Sequence, residues 1–234
     1  MPESIPAPIL NALKSLDTCA AANAIESFSV QLRNEGFMNA TGVHCQFPTM
    51  PPMLGFAVTL RVRSSNPPME GGVYVDRTDW WTALEALPVP QVVVIQDMDR
   101  RPGVGAFVGE IHAAILQRLG CVGVVTNGAV RDLSAIESRG FQLFSATVSP
   151  SHSYVHVVDS GQAVQIGGLL IRPGDLLLGD RHGLLRIPPE VAADIPETVA
   201  RIRAREREIL DYCDSEAFSP AGLRQRLRNF PPAN

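Results

Sequence analysis

Hydrophobic and polar positions alternate with two different rhythms along this chain. From residue 91 to 147, short apolar runs alternate with amphipathic stretches. Apolar runs bounded by turn residues suit buried strands, and a 3.6-residue period suits helices. The pattern predicts strand 91–96, helix about 109–119, strand 121–126, helix about 132–139 and strand 141–147, hence an α/β layer. After residue 153, turn signals at DSGQ, Gly167-Gly168, PGD at 173–175 and DRHG at 180–183 separate the runs VHVV, AVQI, LLI, LLLG and LLRI. A β-rich section therefore follows within one continuous core. A closing helix is expected to start at Pro188-Pro189-Glu190. Val191, Ile195, Val199 and Ile202 lie on one face of it and the charges of RIRARERE on the other. Ser219-Pro220 marks a short second helix.

The first part of the chain is read more coarsely. Residues 16–30 form a helix with Thr18 as its N-cap. Residues 38–54, rich in Pro, Met and turn formers, form an ordered loop. GFAVTLRVR at 55–63 is a strand, SSNPPMEGG a loop, 79–87 a short helix capped by Asp79, and 90–98 a buried strand. The Trp80-Trp81 pair is expected to bury a helix face or an oligomer contact.

With 234 residues, one good-sized core can form. A formal net charge of -4 argues against a broad nucleic-acid footprint. Cys19, Cys45, Cys121 and Cys213 form no C-x-x-C pair. This predicts neither a zinc site nor a disulfide framework, and fits a reducing, cytoplasmic compartment. Neither a signal peptide nor a membrane span is expected.

The candidate chemistry lies in GEIHAAILQRLGCVGVVTNGAVRD, residues 109–132. Glu110 opens a helix, and after a spacer of twenty residues Arg131-Asp132 follows a strand and the small-residue turn TNGA. Adjacent helix and strand would bring both carboxylates and the arginine to one end of the layer, the usual place for a site in such sheets. The helix N-terminus adds N–H groups at Gly109, Glu110, Ile111 and His112 that suit an anion. An isolated Arg-Asp pair is more often a solvated surface feature; the preceding turn and the strand end raise its interest. Gly103, Gly105 and Gly109 resemble a dinucleotide fingerprint, but DMDRRP separates them from the strand and the spacing is G-x-G-x-x-x-G. Of His44, His112, His152, His156 and His182, only His112 and His182 stand near glycine turns by the expected site, and the others read as ordinary surface or core histidines.

At these residues the chain resembles the RraA-like family, which includes regulators of ribonuclease E activity and class II 4-hydroxy-4-methyl-2-oxoglutarate/4-carboxy-4-hydroxy-2-oxoadipate aldolases. The resemblance rests on GEIHA…GVVTNGAVRD, on GGLLIRPGDLLLGDRHGLLRIP at 167–188 and, more weakly, on LDTCAAANAIE at 16–26. It implies a three-layer α/β fold of the swivelling β/β/α type in one domain over 1–234, with a C-terminal helical arm from about 189. By the same resemblance, Asp132 would hold Mg²⁺ or Mn²⁺, largely through waters. Glu110 stands where the aldolases usually carry Asp and would support a metal-bound water. Arg131 would grip the 2-oxo acid and its enolate oxygen, and the amides of Glu110, Ile111 and His112 would receive the substrate carboxylate. Glu206, or next to it Glu208, would complete the site of a neighbouring subunit in a trimer or hexamer. The implied activity is metal-dependent cleavage of a 4-hydroxy-2-oxo acid to pyruvate, with oxaloacetate decarboxylation through the same enolate. The competing implication is a non-catalytic regulator that binds and inhibits ribonuclease E. Glu110, Arg131 and Asp132 together favour the enzyme. The chain departs from the family pattern at Glu110, at Asn23, at His182 and at Gly140-Phe141-Gln142, which lacks the usual proline.

Overall fold

A computed structural model describes residues 5–39, 41–69 and 80–228 of the chain. The expected alternation is present. Strands β3 (Met53–Arg63), β4 (Gln91–Asp97), β6 (Cys121–Val130) and β7 (Gln142–Val148) lie side by side and parallel. Helices α4 (Glu110–Arg118) and α5 (Leu133–Ser138) cross between them. β1 (Phe37–Asn39), β11 (Leu176–Asp180) and β12 (Gly183–Ile187) extend the sheet beyond the first half of β3, in the order β1-β12-β11-β3. β8 (His156–Ser160) pairs antiparallel with the second half of β3, and β2 (His44–Cys45) pairs with β7. With β5 (Ala106–Val108), which pairs with β6, these strands make a ten-stranded sheet among the described residues.

Side-chain alternation along β3 sorts the core into layers, because successive strand residues face opposite sides. Leu54, Phe56, Val58, Leu60 and Val62 face helices: α1 (Ala7–Lys14), α2 (Thr18–Phe28) and α6 (Ile195–Cys213) near the strand's start, then α3 (Trp81–Glu85), α4 and α5. Met53 and Ala57 face the other way, onto a small hairpin of β9 (Val164–Ile166) and β10 (Leu169–Ile171). Helices, large sheet and small sheet are the three layers expected. Trp80 is buried beside Phe107 in the core under the helices, and Trp81 packs partly buried against the same core. Asp79 lies outside the described residues.

Five local expectations are corrected. The N-cap of α2 is Asp17, whose carboxylate accepts the Ala20 N–H at 2.7 Å. Thr18 instead gives its hydroxyl to buried Asp180 at 2.7 Å. Both residue types cap helices well, and the distant partner Asp180 decides between them. The stretch 38–54 is not all loop, because β1 and β2 pair with sheet edges. TNGA is not a turn. β6 runs through it with a register shift between Thr126 and Ala129. Asn127 spends its amide on both backbone groups of Asp97, at 2.7 and 3.0 Å. The closing helix starts at Ile195, after a 3-10 turn at Pro189–Val191. Pro196 lacks an N–H and crowds a preceding helical turn, so it belongs in the first turn. β5 was not foreseen. The second terminal helix, α7 (Pro220–Arg228), starts where Ser219-Pro220 placed it.

Candidate functional site

β5 is what brings the two halves of the 109–132 segment together. β4 pairs with β6 as far as Ile95 and Thr126, while its other edge stays paired with β3 as far as Asp97 and Val62. The chain returns as β5 alongside the end of β6, with Ala106 beside Ala129 and Val108 beside Val130. Buried Asp97 ties the intervening loop, accepting the Gly103 N–H at 2.8 Å and the Asp99 N–H at 3.0 Å. The Asp99 carboxyl is held below the usual carboxylate range: burial alone would raise it, but the N–H groups of Ser64 and Ser65 outweigh that.

Gly109 follows β5 and opens α4. The Arg131 N–H donates to the Val108 carbonyl at 3.0 Å, and the Glu110 N–H donates to Asp132 Oδ2 at 3.0 Å. Gly109 has an ordinary extended backbone (φ -131, ψ -170), so conformational freedom is not why it is glycine. A Cβ there would stand 2.6 Å from Asp132 Oδ2 and 3.1 Å from Arg131 Nε. Asp132 itself is left-handed (φ 57, ψ 39), a conformation that Asp tolerates better than most side chains. It precedes α5, yet its carboxylate does not cap that helix. The group is spent on α4 instead, and strain of this kind concentrates at functional positions.

Arg131 is partly exposed. Its Nη1 donates to the Pro150 carbonyl at 3.4 Å and to His152 Nδ1 at 3.3 Å. Its Nε stands 3.4 Å from Asp132 Oδ2, an ion-pair distance, but the geometry makes no hydrogen bond and the buried Nε donor is left over. Arginine has no acceptor, so His152 must accept through Nδ1 and carry its proton on Nε2. Burial, and next the Arg131 charge, push the His152 imidazole below its ordinary value, against the opposing pull of Asp132. His112 is fixed the opposite way: its Nδ1 lies 2.8 Å from the Phe107 carbonyl, which can only accept, so Nδ1 carries the proton. The ring packs on Phe107 with centroids 4.8 Å apart. Burial lowers its pKa more than the Phe107 carbonyl raises it, and nearby His152 lowers it further.

Glu110, Arg131 and Asp132 are thus brought together, with His112 beside them. The amide of Glu110 is already committed to Asp132. Ile111, on the first turn of α4, has its side chain 77% exposed. His152 is the member that sequence reasoning missed. It arrives through the loop after β7, where the Ser149 N–H continues the sheet pairing to the Val130 carbonyl at 3.1 Å. Nothing in the sequence around His152 marks it; in the structure Gly105 makes room for its backbone, and a Cβ there would stand 2.1 Å from the His152 carbonyl oxygen.

His182 goes elsewhere. β11 runs antiparallel to β3, so Asp180 and His182 sit at the opposite end of the sheet from Arg131. There Asp180 accepts the N–H groups of Thr18 and His182, each at 2.8 Å, and anchors α2. Glu206 and Glu208 lie exposed on α6, which packs on α1 and α2, and within one chain neither makes an ion pair or hydrogen bond to the cluster among the described residues.

Among the described residues, no three His, Cys, Asp or Glu side chains gather tightly enough to hold a metal by themselves. Asp132 offers a different donor set. Its Oδ1 accepts no hydrogen bond from the described residues, and Oδ2 accepts one. A single available carboxylate suits a hard cation that keeps most of its waters.

The molecule is a three-layer α/β protein whose strand ends carry an arginine, two acidic residues and a helix N-terminus. Residues 18–186 match the RraA-like (Aldolase/RraA) family model, and the chain belongs to that family. It is 24% identical to an uncharacterised protein of Methanocaldococcus jannaschii, over 81% of this chain and 86% of that one. It is 32% identical to a Halalkalibacterium halodurans protein provisionally named 4-hydroxy-4-methyl-2-oxoglutarate aldolase, over 45% of this chain and 53% of that one, about half of each. An uncharacterised Pseudomonas syringae protein has the same fold, with a TM-score of 0.72 and 22% identity over 98% of this chain and 97% of that one. So does Streptomyces coelicolor RraAS2, described as an unusual member of the RNase ES inhibitor RraA family, with a TM-score of 0.67 and 21% identity over 87% of this chain and 97% of that one. The family thus includes proteins named for two different activities. Among the described residues no helix is long and apolar enough to cross a membrane.

Proposed function

We propose that the protein is a divalent-metal-dependent carbon–carbon lyase that cleaves a 4-hydroxy-2-oxo acid of the 4-hydroxy-4-methyl-2-oxoglutarate type to pyruvate, and decarboxylates oxaloacetate as a secondary activity. The observation that supports this reading most is the Gly109–Asp132 arrangement. Asp132 adopts a left-handed backbone and forgoes capping its own helix, which leaves one carboxylate oxygen available beside an arginine. Mg²⁺ or Mn²⁺ held by Asp132 would supply Lewis acidity at the 2-oxo group.

The chain's own residues do the rest. Arg131 grips the substrate carboxylate and the 2-oxo oxygen, where negative charge grows as the C3–C4 bond breaks. The α4 N-terminus, through the amides of Ile111 and His112, favours the same anion; the Glu110 amide keeps Asp132 in place. The carboxylate of Glu110 takes the C4 hydroxyl proton, directly or through a water. C4 leaves as the carbonyl of the second product, the electrons of the broken C3–C4 bond pass into a pyruvate enolate, and the proton taken up by Glu110 returns to C3. No Schiff base is needed, and the only lysine, Lys14, lies in α1. In an assembled trimer or hexamer, Glu206 of one subunit reaches the site of the next.

Asp132→Asn tests the reading. Asn also tolerates a left-handed backbone, so the fold is retained while the charge is lost. Pyruvate release is expected to fall by roughly 100-fold or more, as for loss of a group on which the metal depends. Undiminished release from the variant would remove Asp132 from the chemistry. Absence of pyruvate from the unaltered protein with every 4-hydroxy-2-oxo acid and with oxaloacetate would favour a ribonuclease-inhibiting regulator.

A further inference from the structure

We infer that His152 is a positioning residue for this site: through Nδ1 it holds the Arg131 guanidinium in the orientation that receives the substrate anion. This rests on the proposed role of Arg131. Arg131 is long and flexible, and freezing such a side chain costs rotamer entropy. Its partners are few. Nη1 has the Pro150 carbonyl at 3.4 Å and His152 Nδ1 at 3.3 Å, while Nε is buried without a hydrogen bond. Both Nη1 acceptors come from one short segment after β7, so that segment decides where the guanidinium points.

The segment is itself held on several sides. The Ser149 N–H donates to the Val130 carbonyl at 3.1 Å, and the Ala106 N–H donates to the Ser151 carbonyl at 2.9 Å. Ser153 is left-handed (φ 49) and its hydroxyl donates to the Ser64 carbonyl at 2.9 Å. Gly105 leaves room for the His152 backbone, which a Cβ would approach to 2.1 Å. An imidazole carried on so fixed a segment can orient an arginine without lengthening the path to substrate. Burial and the Arg131 charge both favour its neutral, accepting form, against the pull of Asp132.

Three variants separate this role from plain packing. Asn places an oxygen near the position of Nδ1, whereas Leu fills the space with no acceptor. Oxalate, a planar dianion like the enolate of a 2-oxo acid, serves as the binding probe in Mg²⁺ buffer, read by calorimetry. His152→Leu is expected to weaken oxalate binding by roughly tenfold, the scale of a hydrogen bond to a charged group, and to raise KM more than it lowers kcat. His152→Asn is expected to restore most of that loss. In an Arg131→Ala background, His152→Leu should have no further effect on oxalate, because the histidine acts only through the arginine. Equal losses in the Leu and Asn variants, or additive losses in the double variant, would overturn the inference.

A second readout does not depend on catalysis or on oxalate. In protein with ¹⁵N-labelled histidine and no ligand, His152 should show the tautomer protonated on Nε2, and its Nδ1 resonance should move when Arg131→Ala removes the donor. A His152 resonance indifferent to Arg131→Ala would overturn the contact itself. If the unaltered protein neither binds oxalate nor releases pyruvate while the resonance does move, the contact stands, the proposed lyase reading falls, and with it the positioning role.

Discussion

Gly109 and Asp132 stand too close for a methyl group to fit between them: a Cβ on Gly109 would lie 2.6 Å from Asp132 Oδ2. Because Gly109 has an extended backbone, Gly109→Ala strains nothing in the main chain. Its effect falls on Arg131 and Asp132, which must move. The variant is expected to keep its melting temperature within a few degrees and to lose pyruvate release by roughly 100-fold, since small misplacements of reacting groups are costly in rate. Matched activity and kinetic assays beside thermal melts check this; a large fall in melting temperature with little loss of activity would contradict it.

The proposed sharing of sites between subunits has its own signature. Arg131→Ala and Glu206→Ala are each expected to be inactive alone. Co-expressed in equal amounts they should recover about a quarter of full activity, the fraction of interfaces that pair an Arg131-bearing subunit with a Glu206-bearing neighbour. No recovery in a mixed assembly would place Glu206 outside the site.

At the other end of the sheet, Asp180 is expected to make stability depend on pH. Burial would raise its pKa, but bonds from the Thr18 and His182 N–H groups and the Thr18 hydroxyl outweigh that and hold it below the ordinary carboxylate value. A carboxyl lowered on folding stabilises the protein above its unfolded value, and that contribution is lost as pH falls through the folded value. Asp180→Asn should cost about 2 kcal/mol at neutral pH, the scale of losing charge-assisted bonds to buried donors. The difference in melting temperature between the variant and the unaltered protein should shrink as the solution is acidified below the ordinary carboxylate range.

The cap of α2 can be separated from its surface ion pair. Asp17 accepts the Ala20 N–H at 2.7 Å and also meets Arg203 Nη2 at 2.7 Å, with both side chains about half exposed. Asp17→Ala should cost about 1 kcal/mol through the lost cap. Arg203→Ala should cost a few tenths of a kcal/mol, as exposed pairs do. Chemical denaturation of the two variants distinguishes them.

What could be read from the sequence followed how local each cause is. Most strands and helices from 91 to 187, β5 and the far end of β6 apart, were legible from their apolar period, and the spacing of Glu110 and Arg131-Asp132 showed that they would meet at one end of the layer. Asp17 and Thr18 were both reasonable caps, and only Asp180, far along the chain, settles which one serves. Asn127-Gly128 carries a strong turn signal, but Asn127 is bound to the Asp97 backbone across the sheet and the strand continues. β5 is three residues long, too short to show a period, yet it joins Gly109 to Arg131. His152 carries no local mark; only the pairing of β6 with β7 delivers it to Arg131.

The Arg131–Asp132 site is proposed to make pyruvate from a 2-oxo acid with the help of a divalent metal. The most direct test is pyruvate release from 4-hydroxy-4-methyl-2-oxoglutarate, 4-carboxy-4-hydroxy-2-oxoadipate and oxaloacetate, each with Mg²⁺, with Mn²⁺ and with EDTA. Release from at least one of them, abolished by EDTA and restored by added metal, is expected. Release that persists undiminished in EDTA, or no release from any of the three, would contradict it.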